Sequence, residues 1–417
     1  MIKNIFAKSQ FKKNIMVLMA GSAVAQAVPI AISPILTRIY SPKEFGLMAL
    51  YLSLCSLLSV FSSARYDLAI IEPKENNEAK HLLAGSLALS AIISFLLFIA
   101  ACLFNKQITS LLGNADISFW LYVAPITVFT LSCYSIFTYW LNRHKRFKDM
   151  SINRVVNSSS TTFISLFLGF LNYISSGLIL GYLLGQITAV LLLWKKTFRE
   201  KFNFEVSKIY KSMKKYSHYP KYLVPATFAG TASGEIPILL LTKYFDASIS
   251  GYFSFTNRVT ISPLSLIGNS IGEVYRQKAV EEYNQFGNCK ALFIRAFTAL
   301  FVVGLIPLLI LFFYSVPLFT FVFGEKWAIA GKMAKYTSFL IFFQLLSTPL
   351  AYTIVLNKSQ KMDMVLQIGR ATLSIVSIVI GYYFADYLMS VICYTISYSL
   401  YYISHSFLQY RAACGHK

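Results

Sequence analysis

Apolar segments of about 20 residues, the length a helix needs to cross a bilayer, recur along the whole of this 417-residue chain. Of its residues 56% are hydrophobic and 13% charged, where a soluble protein carries about 25% charged. Hydrocarbon supplies no water to a free backbone N–H or C=O, so only helices and closed barrels span it. The alternating ten-residue pattern of a barrel strand is absent. The spacing predicts an all-α polytopic membrane protein with about 12 transmembrane helices. They fall near 14–37, 44–64, 81–104, 117–141, 155–174, 177–194, 223–243, 249–273, 292–314, 331–356, 365–384 and 387–409. Two six-helix bundles are expected, 1–194 and 223–417, joined by a basic cytoplasmic linker at 195–222.

The halves repeat one another. Leu36-Thr37-Arg38 closes an apolar helix and Gly46 follows; Leu241-Thr242-Lys243 and Gly251 do the same at equal spacing. Ala20 to Gln26 matches Ala229 to Glu235. Leu141-Asn142 followed by Arg154 matches Leu356-Asn357 followed by Arg370. An even number of helices per half gives both the same orientation, so the repeat is parallel, with its axis along the membrane normal.

Lys and Arg number 38 against 17 Asp and Glu, a net charge of +21. In a soluble protein that balance suggests nucleic acid. Here the basic residues sort by side: segments assigned to the inside hold 28 of them and the outer loops 5. Both termini are therefore expected in the cytoplasm, and no nucleic-acid partner is expected. Ala23-Val24-Ala25 resembles a signal-peptidase site, but the apolar run continues to Leu36 and its counterpart in the second half is internal. The six cysteines form no CxxC pair and the five histidines show no ligand spacing, so no metal site is expected. Nucleotide-binding and hydrolase signatures are missing, and the outer loops are short.

The candidate site residues lie in the seventh and eighth helices. Glu235 and Arg258 both fall roughly 12–14 Å below the outer surface, at 1.5 Å per residue. A charge at that depth costs at least about 2.5–3.5 kcal/mol and normally faces a cavity or a partner. Arg258, Ser262, Ser265, Asn269 and Glu273 form one polar stripe; Thr227, Thr231, Glu235 and Thr242 form another. Two readings stay open: a hydrated lumen in which Arg258 attracts an anion, or an ion pair that locks two helices. Arg38 and Lys243 join the candidates because topology gives no reason for positive charge on the outer side. Arg65, Arg154, Arg295 and Arg370 lie near helix ends, where snorkelling is the default. Asn157 to Thr162 either line a lumen or bond between helices. Gly177, Gly181 and Gly185 mark a close-packing face. Pro29, Pro34, Pro237, Pro263 and Pro349 are expected to bend or break helices.

Taken together, Gly21-Ser22 through Arg38, Tyr40 through Gly46, Ser63 through Ile70 and Phe323 through Trp327 resemble the Wzx-type lipid-linked oligosaccharide flippases of the multidrug/oligosaccharidyl-lipid/polysaccharide transporter superfamily. The resemblance implies two bundles across a cationic cleft in a bacterial inner membrane. It implies an undecaprenyl-pyrophosphate oligosaccharide, of O-antigen or capsule type, moved between leaflets by alternating access. It also implies coupling to an H⁺ or Na⁺ gradient, no other cofactor, and work beside a polysaccharide polymerase and chain-length machinery. Arg258 is the position that matches the cleft arginines of similar flippases. Gln26 stands where Glu235 does, so the first half lacks the acidic residue of some drug-exporting relatives. The alternatives are a multidrug exporter, whose cationic cargo calls for an acidic lumen, and a polymerase or ligase, which calls for a large outer loop.

Overall fold

The computed structural model describes residues 2–173, 175–198, 205–357, 360–384 and 386–415. Residues 199–204 of the expected linker, together with Lys358 and Lys417, lie outside the described residues, as do the side chains of Lys3, Lys8, Lys12 and Lys13.

Twelve helices of 20 residues or more form among the described residues: α1 Ile2–Ile39, α2 Pro42–Ser62, α3 Asn76–Leu112, α4 Ser118–Arg143, α5 Phe147–Phe170, α6 Gly177–Thr197, α7 Val224–Tyr244, α8 Ala247–Phe286, α9 Lys290–Phe323, α10 Ala328–Ser347, α11 Gln360–Tyr383 and α12 Tyr387–Ala413. Nine segments among the described residues are long and apolar enough to cross a membrane; α5, α8 and α12 are not among them. Length is not what these three lack, at 24, 40 and 27 residues. Polar residues, such as those at 157–162 on α5 and Ser262, Ser265 and Asn269 on α8, lower the hydropathy.

Four of the five prolines expected to bend or break helices do not break one. α1 continues through Pro29 and Pro34, α7 through Pro237 and α8 through Pro263. Pro349 alone of the five falls in a break, the 3₁₀ turn Thr348–Leu350 after α10. The kink inside α3 is at Phe104 (φ −115°, ψ 17°), which no proline marks.

Contacts divide the chain into two units. The first comprises Met1–Tyr40 and Leu47–Thr231, the second Ser41–Gly46 and Ala232–Lys417. The divisions fall within α2 and α7.

In the first unit α5 and α6 meet along the glycine face. A Cβ on Gly181 would lie 2.7 Å from the Ser165 amide nitrogen, and one on Gly185 2.5 Å from that of Thr161. Backbones this close leave no room for a side chain. Asn153 Nδ2 donates to the Ala189 carbonyl across the same contact at 2.9 Å. The apolar core, around Leu82, Leu83, Ile136, Phe137 and Trp140, closes over the short helix Tyr66–Ala69. Asp67 there is 1% exposed and accepts from Ser63 Oγ (2.9 Å) and Ser135 Oγ (2.6 Å). A buried carboxylate needs such donors, so this loop is a structural knot.

The second unit includes the short stretch Ser41–Gly46. A Cβ on Gly251 would lie 2.0 Å from the Pro42 carbonyl oxygen, and one on Gly46 1.7 Å from that of Ala247. The glycines that mark the sequence repeat therefore pack against each other's segments. Beside them Phe45 meets Phe255 and Trp327 edge-on, Phe255 and Trp327 are tilted with centroids 4.3 Å apart, and Trp327 is fully buried. At the start of α2 the Glu44 carboxylate reaches back and accepts from the Ser41 N–H at 2.7 Å; Asp246 caps α8 by accepting from the Ser248 N–H at 3.1 Å.

Gly181→Ala and Gly185→Ala should each destabilise the protein by about 1–3 kcal/mol through overpacking. Gly369→Ala, where nothing lies within 4 Å of the new Cβ, should not. Melting temperatures of the purified variants in one detergent check this ordering.

Candidate functional site

α1 and α7 occupy matching places in the repeat, and a proline interrupts the hydrogen-bond ladder of each. Proline has no N–H, so it orphans the carbonyl four residues before it. Pro29 frees the Ala25 carbonyl, and Ser158 Oγ of α5 donates to it. Pro237 frees the Ser233 carbonyl, and the Tyr398 hydroxyl of α12 donates to it at 2.8 Å. In each unit another helix repairs the ladder.

An arginine reaches the same region in each unit. Arg154 of α5 donates through Nη1 to Ser22 Oγ at 2.7 Å. Arg370 of α11 donates through Nε (3.1 Å) and Nη2 (2.7 Å) to Ser233 Oγ. They lie about 10 and 15 Å along their helices from the N-terminal ends. Among the described residues neither pairs with a carboxylate. Arg370 also sits 5.9 Å from the Tyr401 ring centroid, beside a file of tyrosines that includes Tyr394 and Tyr398 at 4.3 Å. Each of these arginines is held by a hydroxyl, since a guanidinium among apolar helices must place its N–H groups on some acceptor.

Arg258 is half-buried on α8 and makes no hydrogen bond or ion pair among the described residues. Glu235, half-buried on α7, does not form an ion pair with it. The locking pair, one of the two readings of the sequence, is not formed. Ser262 is half-buried and its carbonyl accepts from Ser265 Oγ at 2.7 Å. Asn269 is exposed and lines a pocket of about 60 Å³ with Ser265, Gly268 and Gln344. Stripe residues Ser265 and Asn269 thus share a cavity wall, while Glu273, further along, pairs with Arg276 at the exposed end of α8.

Arg38 and Lys243 are both exposed, Lys243 lying 5.9 Å over the Tyr244 ring. The residues before them are buried: Leu36 and Thr37 are 3% and 2% exposed, Leu241 and Thr242 1% and 2%. Thr242 Oγ1 bonds the Ile238 carbonyl (2.9 Å) and Ser250 Oγ (2.8 Å). It therefore belongs to the α7–α8 packing and not to an open polar stripe. Thr227 accepts from Arg65 Nε at 3.2 Å. In the first unit the Gln26 and Asn157 side-chain oxygens are buried without a hydrogen-bond partner among the described residues.

The hydroxyls that bond these arginines and orphaned carbonyls, Ser22 and Ser158 in the first unit and Ser233 and Tyr398 in the second, are missed by reading charges alone. The signal for two of the contacts was present: a carbonyl orphaned by Pro29 or Pro237 must find a donor. The candidates can chelate an anion through guanidinium N–H groups, and no cluster of metal-ligating side chains exists among the described residues. In a double-mutant cycle on unfolding, Arg370→Gln and Ser233→Ala should couple by about 1.5–3 kcal/mol, the range for hydrogen bonds to charged groups. Arg370→Gln combined with Ser22→Ala should be additive.

Three comparisons bear on this arrangement. A family model described as polysaccharide biosynthesis protein matches residues 35–332. The succinoglycan biosynthesis transport protein ExoT of Rhizobium meliloti (strain 1021) is 22% identical over 306 residues, which span 71% of this chain and 59% of that protein's length. Among solved structures, lipid II flippase MurJ in an inward closed conformation superposes with a TM-score of 0.74 at 14% identity, covering 94% of this chain and 90% of MurJ. An inward-facing multidrug resistance MATE family transporter of the MOP superfamily gives 0.71 at 13% identity, covering 94% of each chain. The fold is that of the MOP superfamily transporters, and with a family match spanning most of its length the chain belongs to the polysaccharide biosynthesis protein family.

Proposed function

We propose that this protein is a flippase for a lipid-linked oligosaccharide. Its cargo would be an undecaprenyl-pyrophosphate repeat unit of O-antigen or capsule type, moved from the cytoplasmic to the periplasmic leaflet of a bacterial inner membrane. The observation that carries the reading is the set Arg154, Arg258 and Arg370. Arg370 lies on a helix apolar enough to cross a membrane, Arg154 and Arg258 lie on the long, more polar helices α5 and α8, and none of the three pairs with a carboxylate among the described residues. A pyrophosphate cannot cross about 30 Å of hydrocarbon unaided. Guanidinium groups replace its hydration with charge-assisted hydrogen bonds. Serine, threonine and asparagine along α5 and α8 supply the donors and acceptors a sugar needs. The family match and the likeness to ExoT support a role in polysaccharide export, and the fold supports alternating access without catalysis.

In this reading Arg258 is the headgroup ligand, with Ser262 and Asn269 along the same helix, and Arg38 and Lys243 give the outer side its positive potential. Glu235 would balance charge during coupling to an H⁺ or Na⁺ gradient. Both termini face the cytoplasm, and a polysaccharide polymerase with its chain-length machinery receives the product. The likeness to a MATE family transporter favours a second reading, a multidrug exporter. Its cationic cargo would need carboxylates where this chain carries arginines.

Arg258→Ala should abolish surface polysaccharide, with lipid-linked oligosaccharide accumulating on the cytoplasmic side, while protein abundance in the membrane is unchanged. Arg258→Lys should retain part of the activity. Normal surface polymer in Arg258→Ala cells would sink the headgroup role. Drug resistance conferred by the wild-type chain, with no effect on surface glycan, would favour the exporter.

A further inference from the structure

The second unit contains a cavity of about 460 Å³ where α9, α10 and α12 meet. That lies within the range of about 300–1,000 Å³ typical of ligand sites. Its walls are aromatic, with Phe293, Phe297, Phe301, Phe342 and Phe407 among the lining residues; Ser406 and the phenol of Tyr410 supply side-chain polarity. The cavity opens sideways: Ile294, Ile403 and Phe407 on its rim are 46%, 45% and 62% exposed. A groove that opens laterally from a membrane helix bundle opens onto lipid. Arg154, Arg258 and Arg370 are not among its lining residues.

One end of the groove is cationic. The Cys289 N–H donates to the Ala413 carbonyl at 2.8 Å, tying the start of α9 to the end of α12. This contact brings together Lys290, whose Nζ lies 5.9 Å from the Tyr410 ring centroid, and Arg411, the neighbour of Tyr410. Arg295 follows the rim residue Ile294. All three cations are exposed, and none has an ion-pair partner among the described residues. Glu282 is the carboxylate that acts on Cys289, and it stands against the three cations Lys290, Arg295 and Arg411. Apolar depth beside unpaired cations is the pattern that takes a negatively charged headgroup between transmembrane helices.

We propose that this groove binds an anionic phospholipid, with an acyl chain against the phenylalanines and the phosphate on Lys290, Arg295 and Arg411. On the orientation proposed above, the site lies in the cytoplasmic leaflet. The aromatic wall fits a flexible chain because rings offer broad contact at low conformational cost. The charge requirement sets the class: a zwitterionic headgroup carries its own ammonium and gains little from three more cations.

The test uses the full chain in detergent, with native mass spectrometry of phosphatidylglycerol and phosphatidylcholine binding. Phosphatidylglycerol should bind at least about tenfold more tightly, a preference that weakens with salt. The double variant Lys290→Ala/Arg411→Ala alters exposed side chains only and should bring the two lipids level without lowering the melting temperature. Ser406→Trp, which fills the groove, should reduce both. Equal binding by the wild-type chain, or a preference that survives the double variant, overturns the proposal. Retention of undecaprenyl phosphate where phosphatidylglycerol is not retained overturns this occupant. Lipid retention is read without transport, so failure here is distinct from failure of the flippase reading.

Discussion

Hydrocarbon gives a backbone amide nothing to bond with, and the structure follows from that constraint. It requires helices, and it requires that any break in a helix be repaired by another part of the protein. Pro29 and Pro237 each free a carbonyl, and Ser158 and Tyr398 close those vacancies from neighbouring helices. Inside each unit these polar repairs, together with the glycine contacts, specify which helices touch. Apolar side chains alone cannot do this in lipid, since the acyl chains are as apolar as the helices they would pack against.

The same logic governs the arginines. A guanidinium carries five N–H donors. Arg370 commits Nε and one Nη to Ser233, Arg154 commits one Nη to Ser22, and Arg258 commits none among the described residues. A hydroxyl fixes the position of an arginine without cancelling its charge, whereas a carboxylate would cancel it. Placement by serine therefore leaves the positive potential available to a ligand, which a structural ion pair would not.

Helix number and position were legible because a bilayer sets a minimum apolar length and the chain obeys it. The twelve expected helices correspond to α1 through α12, although α5, α8 and α12 fall short on hydropathy alone. The repeat was legible too, and Gly46 and Gly251 show why it reads as glycine: each admits a carbonyl where a Cβ would sit. The continuity of α1, α7 and α8 through their prolines was not legible, since a missing hydrogen bond need not end a helix when a neighbouring hydroxyl compensates. Depth arguments put Glu235 and Arg258 at one level, but depth says nothing about rotation around the helix axis, and the two do not pair. Arg154 and Arg370 were visible as a repeat match. Their serine partners were not, because a single hydroxyl leaves no trace in hydropathy.

The low hydropathy of α5, α8 and α12 also bears on how the protein enters the membrane. Such segments partition poorly on their own during synthesis, so each needs a companion already present or closely following. For α5 that companion is α6, which leaves the ribosome directly afterwards and meets it along Gly181 and Gly185. α12 follows α10 and α11 in the chain and packs on both. Biogenesis of this chain is then a sequence of paired insertions, and the glycine face acts first as an assembly signal, before it is a packing surface in the finished fold.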